Sequence, residues 1–228
     1  ALAAQLLREA AGLTGAESPD EQRRALEDHL ATCLSGEELE LAREFLGELI
    51  RAPVRGEPSS RLLVARNDAG IMAERLREAF AIWAGALCGQ GLLILVLEDL
   101  HWGDQPTVSL VDHALEVHGE QPLMVLALAR PEVHELFPKL WPRSGCLEIP
   151  LGPLRRRAAE ALVRAVLGAE VGAGTVDRIV QRAEGNAFYL EELIRHVAEG
   201  GPAEQPETVI AIAQTPREAL PQEARPLL

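Results

Sequence analysis

Two adjacent carboxylates, Glu98 and Asp99, directly follow a run of six apolar residues, Leu92–Leu97. An unbroken apolar run of this kind predicts a strand that is buried on both faces of a parallel sheet. Open α/β sheets bind ligands at the carboxyl ends of their strands, where these acids would lie. Carboxylates there can hold a hydrated Mg²⁺ ion and polarise a water molecule. The pattern predicts half of a nucleoside-triphosphatase site, and the alternative is a buried strand that ends in two solvated acids.

Three further side chains near these acids could take part in such chemistry. Arg130 follows a second apolar run, Leu123–Ala129, so its guanidinium could reach a γ-phosphate; the alternative is an ion pair with Glu132 or a helix cap. His101 could transfer a proton, or it could simply cover the edge of the sheet. Trp102 is expected to pack in the core.

The loop that would bind the triphosphate is absent from the 228 residues. Such a loop has the pattern Gly-x-x-x-x-Gly-Lys-Ser/Thr, whereas the single lysine, Lys139, lies between Pro138 and Leu140. We therefore expect this chain alone to form no normal triphosphate cradle and to be inactive as an ATPase. The sequence also lacks the context of a nucleophilic hydrolase site.

Composition excludes several classes of function. The net charge of −13 and the pI near 5.0 argue against binding to nucleic acid or to an anionic membrane. Cys33, Cys88 and Cys146 have no Cys-x-x-Cys spacing, which predicts neither a disulfide framework nor a zinc site and favours a reducing, cytoplasmic compartment. The uncharged stretch 79–97 is interrupted by glycines, so we predict no transmembrane segment.

The hydrophobic spacing predicts the elements that position these residues. Three helices are expected within residues 1–51, with one beginning at Ser18-Pro19 and one beginning with a capping box of Ser35 and Glu38. A surface loop is expected over Pro53–Ser60. The remaining expected elements are a helix at about 68–87, a helix at about 105–118, a third strand at Cys146–Ile149, and helices at about 155–167, 175–184 and from 187 onward.

Four segments resemble, in the same order, motifs of AAA-like (STAND-type) signal-transduction ATPases from large multidomain bacterial regulators. Such domains accompany Ser/Thr protein kinase, cyclase or transcription-regulator domains. Leu95–Asp104 resembles a Walker B motif, and Leu126–Glu132 resembles a strand that ends in an arginine sensor. Ile149–Leu154 resembles the entry to a helical lid, and Gly185–Leu193 resembles a lid motif beside the nucleotide base.

The resemblance implies a role for each matching residue. Glu98 and Asp99 would hold Mg²⁺ through water and polarise the attacking water, with the division between them open because Glu98 stands where related ATPases more often have Asp. Arg130 would sense the γ-phosphate, and Gly185 and Asn186 would lie beside the nucleotide. The implied cofactors are ATP and Mg²⁺, bound by the intact domain.

The fold class that follows is α/β, a partial parallel P-loop-NTPase-type sheet with flanking helices and an all-α lid. The expected domains are a partial core over 1–152 and a lid over 153–199, followed by a tail or the start of a further helical unit over 200–228. The core is made of a helical insert (1–91) and the segment with the Walker B and sensor strands (92–152). The expected function is a regulatory ATP-binding switch whose partners are nucleotide, other domains of the same polypeptide and a second copy. The alternative is a catalytically inactive protein-interaction module, and a further alternative is a cation site of Glu98, Asp99 and Asp104.

Overall fold

The computed structural model describes residues 1–201. The chain divides into two compact units, Ala1–Leu147 and Glu148–Leu228. The described part is mainly helical and contains a two-stranded parallel sheet, as expected for an α/β protein. Its elements are α1 (Leu2–Ala10), α2 (Pro19–Ala31), α3 (Gly36–Leu49), α4 (Ser60–Asn67), α5 (Ala69–Cys88), β1 (Leu93–Leu97), α6 (Gln105–Val117), β2 (Leu123–Ala127), α7 (Val133–Leu136), α8 (Arg156–Leu167), α9 (Ala173–Ala183) and α10 (Ala187–Ala198).

The first three helices form as predicted, but the capping box belongs to a different one. Ser18 and Glu21 cap each other reciprocally at the start of α2, whereas the Ser35 side chain makes no cap hydrogen bond at α3. Gly36 separates Ser35 from the regular turns of α3 with a φ of +58°, so the backbone does not follow the path that a capping box needs. The prediction of a box at Ser35 and Glu38 is therefore wrong.

Helix α4 was not predicted, because it directly follows Pro53–Ser60, a stretch whose composition predicts a surface loop. The Ser59 hydroxyl accepts a hydrogen bond from the Leu62 backbone N–H at 3.2 Å and so caps the helix. The Glu44 carboxylate in turn accepts hydrogen bonds from the backbone N–H and the hydroxyl of Ser59, at 3.0 and 2.6 Å. A side chain fifteen residues away thus fixes the start of this short helix, and local sequence does not reveal it.

Strands β1 and β2 pair in parallel, with Leu93 opposite Leu123 and Leu97 opposite Ala127. Leu95 and Leu97 are buried against the helical core, whereas Val96, between them, is 42% exposed. The prediction that this strand is buried on both faces is therefore wrong. Within the first unit, no second layer of side chains covers the other face, so the pleat of β1 alternates between buried and exposed side chains.

The third predicted strand, Cys146–Ile149, is also absent. This segment has no regular secondary structure, and Leu147 and Ile149 are 82% and 70% exposed. A strand is held by ladder hydrogen bonds to a neighbour, and among the described residues the sheet ends at two strands. An alternating apolar pattern without a partner does not form a strand by itself.

The core of the first unit surrounds α5, which packs against both α3 and α6. Phe80 and Trp83 of α5 are almost completely buried, since a spacing of three residues places them on the same face of the helix. Gly85 leaves room for the ring of His118, which follows α6, since a Cβ atom at this position would collide with that ring. His118 uses this space to place its Nε2 atom 2.8 Å from the carbonyl oxygen of Ala81.

The second unit contains α8, α9 and α10 around a small apolar core of its own. Its most buried side chains include Val163, Ile179 and Leu193, one from each helix. The prediction for residues 200–228 concerns mainly 202–228, which lie outside the described residues. Over residues 1–201, no helix has the length and apolar character needed to cross a bilayer.

Candidate functional site

The carboxyl ends of β1 and β2 bring the acidic pair and Arg130 to one edge of the sheet. Beyond the strands, the Leu128 N–H donates to the Leu97 carbonyl at 2.9 Å, and the Leu100 N–H donates to the Leu128 carbonyl at 3.0 Å. These two bonds hold the chain on either side of Glu98 and Asp99. The two acids therefore project as a turn beside the segment that leads to Arg130, as the parallel pairing predicts.

The acidic turn exposes both of its carboxylates. Asp99 has φ 52° and ψ 40°, a left-handed conformation that is uncommon for residues other than glycine. Its side chain is 64% exposed, and Glu98 is exposed as well. A single turn of 3₁₀ helix, Leu100–Trp102, follows directly. This conformation places two oxygen-rich groups in contact with solvent, where they can bind a hydrated cation.

His101 lies between the acidic turn and the Arg130 turn. Its side chain is only 5% exposed, and its Nδ1 atom accepts a hydrogen bond from the Arg130 backbone N–H at 3.3 Å. This contact assigns the proton of the neutral ring to Nε2. The Nε2 atom is buried without a hydrogen-bond partner among residues 1–201, and it lies 3.9 Å from the Asp99 Oδ1 atom.

The guanidinium of Arg130 is available to an anion. Arg130 is exposed, and within the part of the chain that the structure describes its side chain forms neither an ion pair nor a hydrogen bond. The expected alternative, an ion pair with Glu132, is not formed. Glu132 instead stands at the start of the short helix α7.

Trp102 is not a core residue, contrary to the prediction. It is 56% exposed and lines a cleft of about 480 Å³ together with Glu98 and Asp99. The side chain leaves the core because the 3₁₀ turn directs Leu100 and His101 inward instead, and both are buried. The position of Trp102, three residues after Asp99, is the feature of the sequence that could have indicated a place in this cleft rather than in the core. The remaining lining residues are Leu2, Gln5, Leu6, Glu9, Val96 and Leu97.

Asp104 has a structural role that links two distant helices. Its Oδ1 atom accepts from the Thr107 backbone N–H at 2.9 Å and caps α6, while its Oδ2 atom accepts from the Leu2 backbone N–H of α1 at 3.3 Å. The buried Thr107 hydroxyl accepts from the Ala3 N–H at 3.1 Å. Over the described residues no group of three metal-ligating side chains could hold a metal ion, so the alternative of a three-carboxylate site is wrong.

Gly185 and Asn186, in the second unit, have local structural roles. Gly185 has φ +82°, and its carbonyl accepts from the Leu154 N–H at 2.7 Å. A Cβ atom at Gly185 would lie 2.8 Å from the Pro153 Cβ atom. The Asn186 side chain caps α10 by accepting from the Tyr189 N–H at 3.0 Å. These contacts give both residues a reason to be present that does not involve a nucleotide.

No family model, curated protein or solved structure matches this chain. The resemblance to signal-transduction ATPases therefore stays a prediction from the motifs.

Proposed function

We propose that this chain is the part of an ATP-binding signal-transduction ATPase domain that contains the Walker B carboxylates, the arginine sensor and the helical lid. One observation carries the proposal: the acidic turn and Arg130 lie at the carboxyl edge of a parallel sheet, where the His101 Nδ1 atom accepts a hydrogen bond from the Arg130 backbone N–H at 3.3 Å. This edge is where open α/β sheets bind their ligands.

The donor set at the acidic turn suits Mg²⁺. This ion retains several of its waters and is bound through one or two carboxylates together with substrate phosphates. Glu98 and Asp99 supply two exposed carboxylates, so both can accept hydrogen bonds from water on the ion. When bound, Mg²⁺ would neutralise charge on the phosphates.

The remaining chemistry belongs to side chains of this chain. Asp99 would orient and polarise the attacking water, and Glu98 would hold the hydrated Mg²⁺, or the two residues would exchange these roles. Arg130 would contact the γ-phosphate with its exposed guanidinium. His101 would hold the two turns at a fixed separation, and in the second unit Gly185 and Asn186 would contact the nucleotide base.

A lysine-containing phosphate loop is missing from these residues, so we propose that this chain alone does not hydrolyse ATP appreciably. The test is phosphate release with Mg²⁺ and ATP, comparing the wild type, Asp99→Ala and the exposed-site control Asp28→Ala. Mg²⁺-dependent turnover that is lost in Asp99→Ala and kept in Asp28→Ala would contradict the inactivity of this chain.

The site itself is tested by binding. Titration calorimetry with ATP, with and without Mg²⁺, is made on this chain and on a longer polypeptide in which a Gly-x-x-x-x-Gly-Lys-Ser/Thr loop precedes it. We expect Mg²⁺-dependent binding in the longer polypeptide, weakened at least tenfold by Asp99→Ala and by Arg130→Ala. Absence of binding in both forms would contradict the ATPase proposal.

The second candidate is an inactive interaction module of a multidomain regulator, in which the acidic pair has no catalytic role. The observation that favours it is the exposed apolar face of the sheet, since large exposed apolar patches mark interaction sites. It requires that nucleotide binding be absent in every form of the domain.

A further inference from the structure

The His101 ring holds a buried N–H group that has no acceptor. The side chain is 5% exposed, and its Nε2 atom has no hydrogen-bond partner within the described residues of the first unit. Because Nδ1 accepts from the Arg130 backbone N–H, the neutral ring has its proton on Nε2. A buried donor without an acceptor is unfavourable, so its presence in a folded protein calls for a specific reason.

The Asp99 carboxylate lies beside this N–H group. Its Oδ1 atom is 3.9 Å from Nε2, which is about 1 Å longer than a hydrogen bond between a ring nitrogen and a carboxylate. The Asp99 side chain is 64% exposed and accepts no hydrogen bond within the described residues of the first unit. A small movement of one of the two groups would therefore give each of them a partner.

The group that moves is the carboxylate, because the ring is fixed. The Arg130 N–H holds Nδ1, and the Trp102 ring packs against the imidazole with the ring centroids 4.9 Å apart. The backbone of Asp99 is fixed as well, since its carbonyl accepts a hydrogen bond of 2.8 Å from the Trp102 N–H. Rotation about the side-chain bonds of Asp99 is then the available way to bring Oδ1 to Nε2.

We propose that His101 is the positioning residue of Asp99: its Nε2–H group donates a hydrogen bond to the Asp99 carboxylate and so fixes where the second carboxylate oxygen points. This inference rests on the proposed function, in which that oxygen faces the attacking water or the hydrated Mg²⁺. Hydrogen bonds from a surrounding shell of residues commonly orient carboxylates in such sites.

The same ring makes the two acids unequal and joins one of them to the sensor turn. Glu98 is exposed and forms no hydrogen bond within the described residues of the first unit, so its carboxylate is not oriented in this way. His101 contacts Asp99 through one nitrogen and the Arg130 backbone through the other. The direction of the Asp99 carboxylate therefore depends on where the turn that carries Arg130 lies.

Two substitutions separate the two ring nitrogens. His101→Gln keeps an N–H donor near the Nε2 position and loses the acceptor at Nδ1, whereas His101→Asn keeps an acceptor near Nδ1 and loses the donor. The measurement is the χ1 rotamer distribution of Asp99, from NMR three-bond couplings on the full 228-residue chain without nucleotide or metal. The wild type and His101→Gln should show one dominant rotamer, and His101→Asn should show a mixture. Glu98 is the internal control and should show a mixture in all three proteins.

A second measurement needs no variant of His101. Exchange of the His101 Nε2–H proton with water should be at least about tenfold faster in Asp99→Ala than in the wild type, because a hydrogen bond to a charged acceptor is lost. The matched control, Glu98→Ala, removes the neighbouring acid and should leave the exchange rate unchanged. This comparison decides the question if circular dichroism shows that a His101 variant does not fold.

Three outcomes would overturn the proposal. These are a rotamer mixture for Asp99 in the wild type, a single Asp99 rotamer that persists in His101→Asn, and equal Nε2–H exchange in the wild type and Asp99→Ala. A contribution of His101 to stability alone would change none of these readouts in the expected pattern. Nucleotide and Mg²⁺ are absent from both measurements, so failure of this inference and failure of ATP binding in the calorimetric test are distinguishable.

Discussion

The backbone N–H of Arg130 donates a hydrogen bond of 3.3 Å to the Nδ1 atom of His101, twenty-nine residues earlier in the chain. The bond joins the turn after β2 to the 3₁₀ turn after the acidic pair. The His101 ring is buried whereas Arg130 is exposed, so this contact is partly shielded from water. It is the single side-chain hydrogen bond between these two turns within residues 1–201.

This bond predicts the effect of substitutions at His101. His101→Leu removes the acceptor and should lower the free energy of unfolding by about 1–3 kcal/mol. His101→Asn keeps an acceptor near the Nδ1 position and should lose clearly less. Urea denaturation of the three proteins measures the difference. Equal losses in both variants would show that packing, and not the hydrogen bond to Arg130, is what His101 contributes.

The same contact predicts the tautomer of His101. Because Nδ1 accepts, the proton of the neutral ring resides on Nε2, which faces Asp99 Oδ1 at 3.9 Å. Long-range ¹H–¹⁵N NMR correlations at neutral pH should show a protonated Nε2 and an unprotonated Nδ1. A ring with its proton on Nδ1 would contradict the observed hydrogen bond.

Asp104 should matter for stability more than an ordinary surface acid. Asp104→Ala removes the cap of α6 and the acceptor for the Leu2 N–H of α1, and we expect a loss of about 2 kcal/mol. The control Asp28→Ala, at an exposed position in the last turn of α2, should change stability by less than about 0.5 kcal/mol. Urea denaturation compares them. A loss for Asp104→Ala as small as that of the control would contradict the double capping role.

Stability should fall with acid through His29. Burial lowers the pKa of His29 below its ordinary value of 6.5, and its Nε2 atom accepts a hydrogen bond of 3.0 Å from the Trp83 indole N–H. The unfolded chain therefore binds the proton more tightly than the folded chain. The stabilisation is complete above about pH 6.5 and is lost as pH falls through the lower pKa of the folded state.

The matched variant for this prediction is His29→Gln, which offers Trp83 an acceptor that does not titrate. Unfolding free energies are measured in urea between about pH 5 and 8, the window around the ordinary histidine pKa. The wild type should lose more stability towards acid than the variant. Parallel pH profiles for the two proteins would rule out His29 as the source.

Gly185 should be required for stability, because its backbone conformation and its close approach to Pro153 disfavour any side chain. Gly185→Ala places a Cβ atom 2.8 Å from the Pro153 Cβ atom at a φ of +82°, which should cost about 1–2 kcal/mol. The control Gly174→Ala, inside α9 with no atom within 4 Å of the added Cβ, should be neutral or stabilise by up to about 1 kcal/mol. Thermal unfolding followed by circular dichroism compares them. An unaffected Gly185→Ala would show that the residue is there for another purpose.

Local patterns in the sequence predicted most of the helices and both strands, because helix spacing, caps and apolar runs act within a few residues. Helix α5 illustrates this: Asp68 caps it, and Phe80 and Trp83 face inward as their spacing requires. The placement of Glu98 and Asp99 after a strand was also readable, since a strand ends where its apolar run ends. The roles that the resemblance gives to these acids, to Arg130, and to Gly185 and Asn186 stay predictions.

Features that depend on distant partners were decided only by the tertiary structure. The sequence could not show that one face of β1 is open or that Cys146–Ile149 forms no strand, because both depend on which neighbour is present. Nor could it show the contacts that join His101 to Arg130 and Asp104 to Leu2, since each crosses a long stretch of chain. Helix caps and the spacing of apolar residues can be read from the sequence, because they act over a few residues. The burial of a face and the contacts between distant residues depend on how the elements pack together.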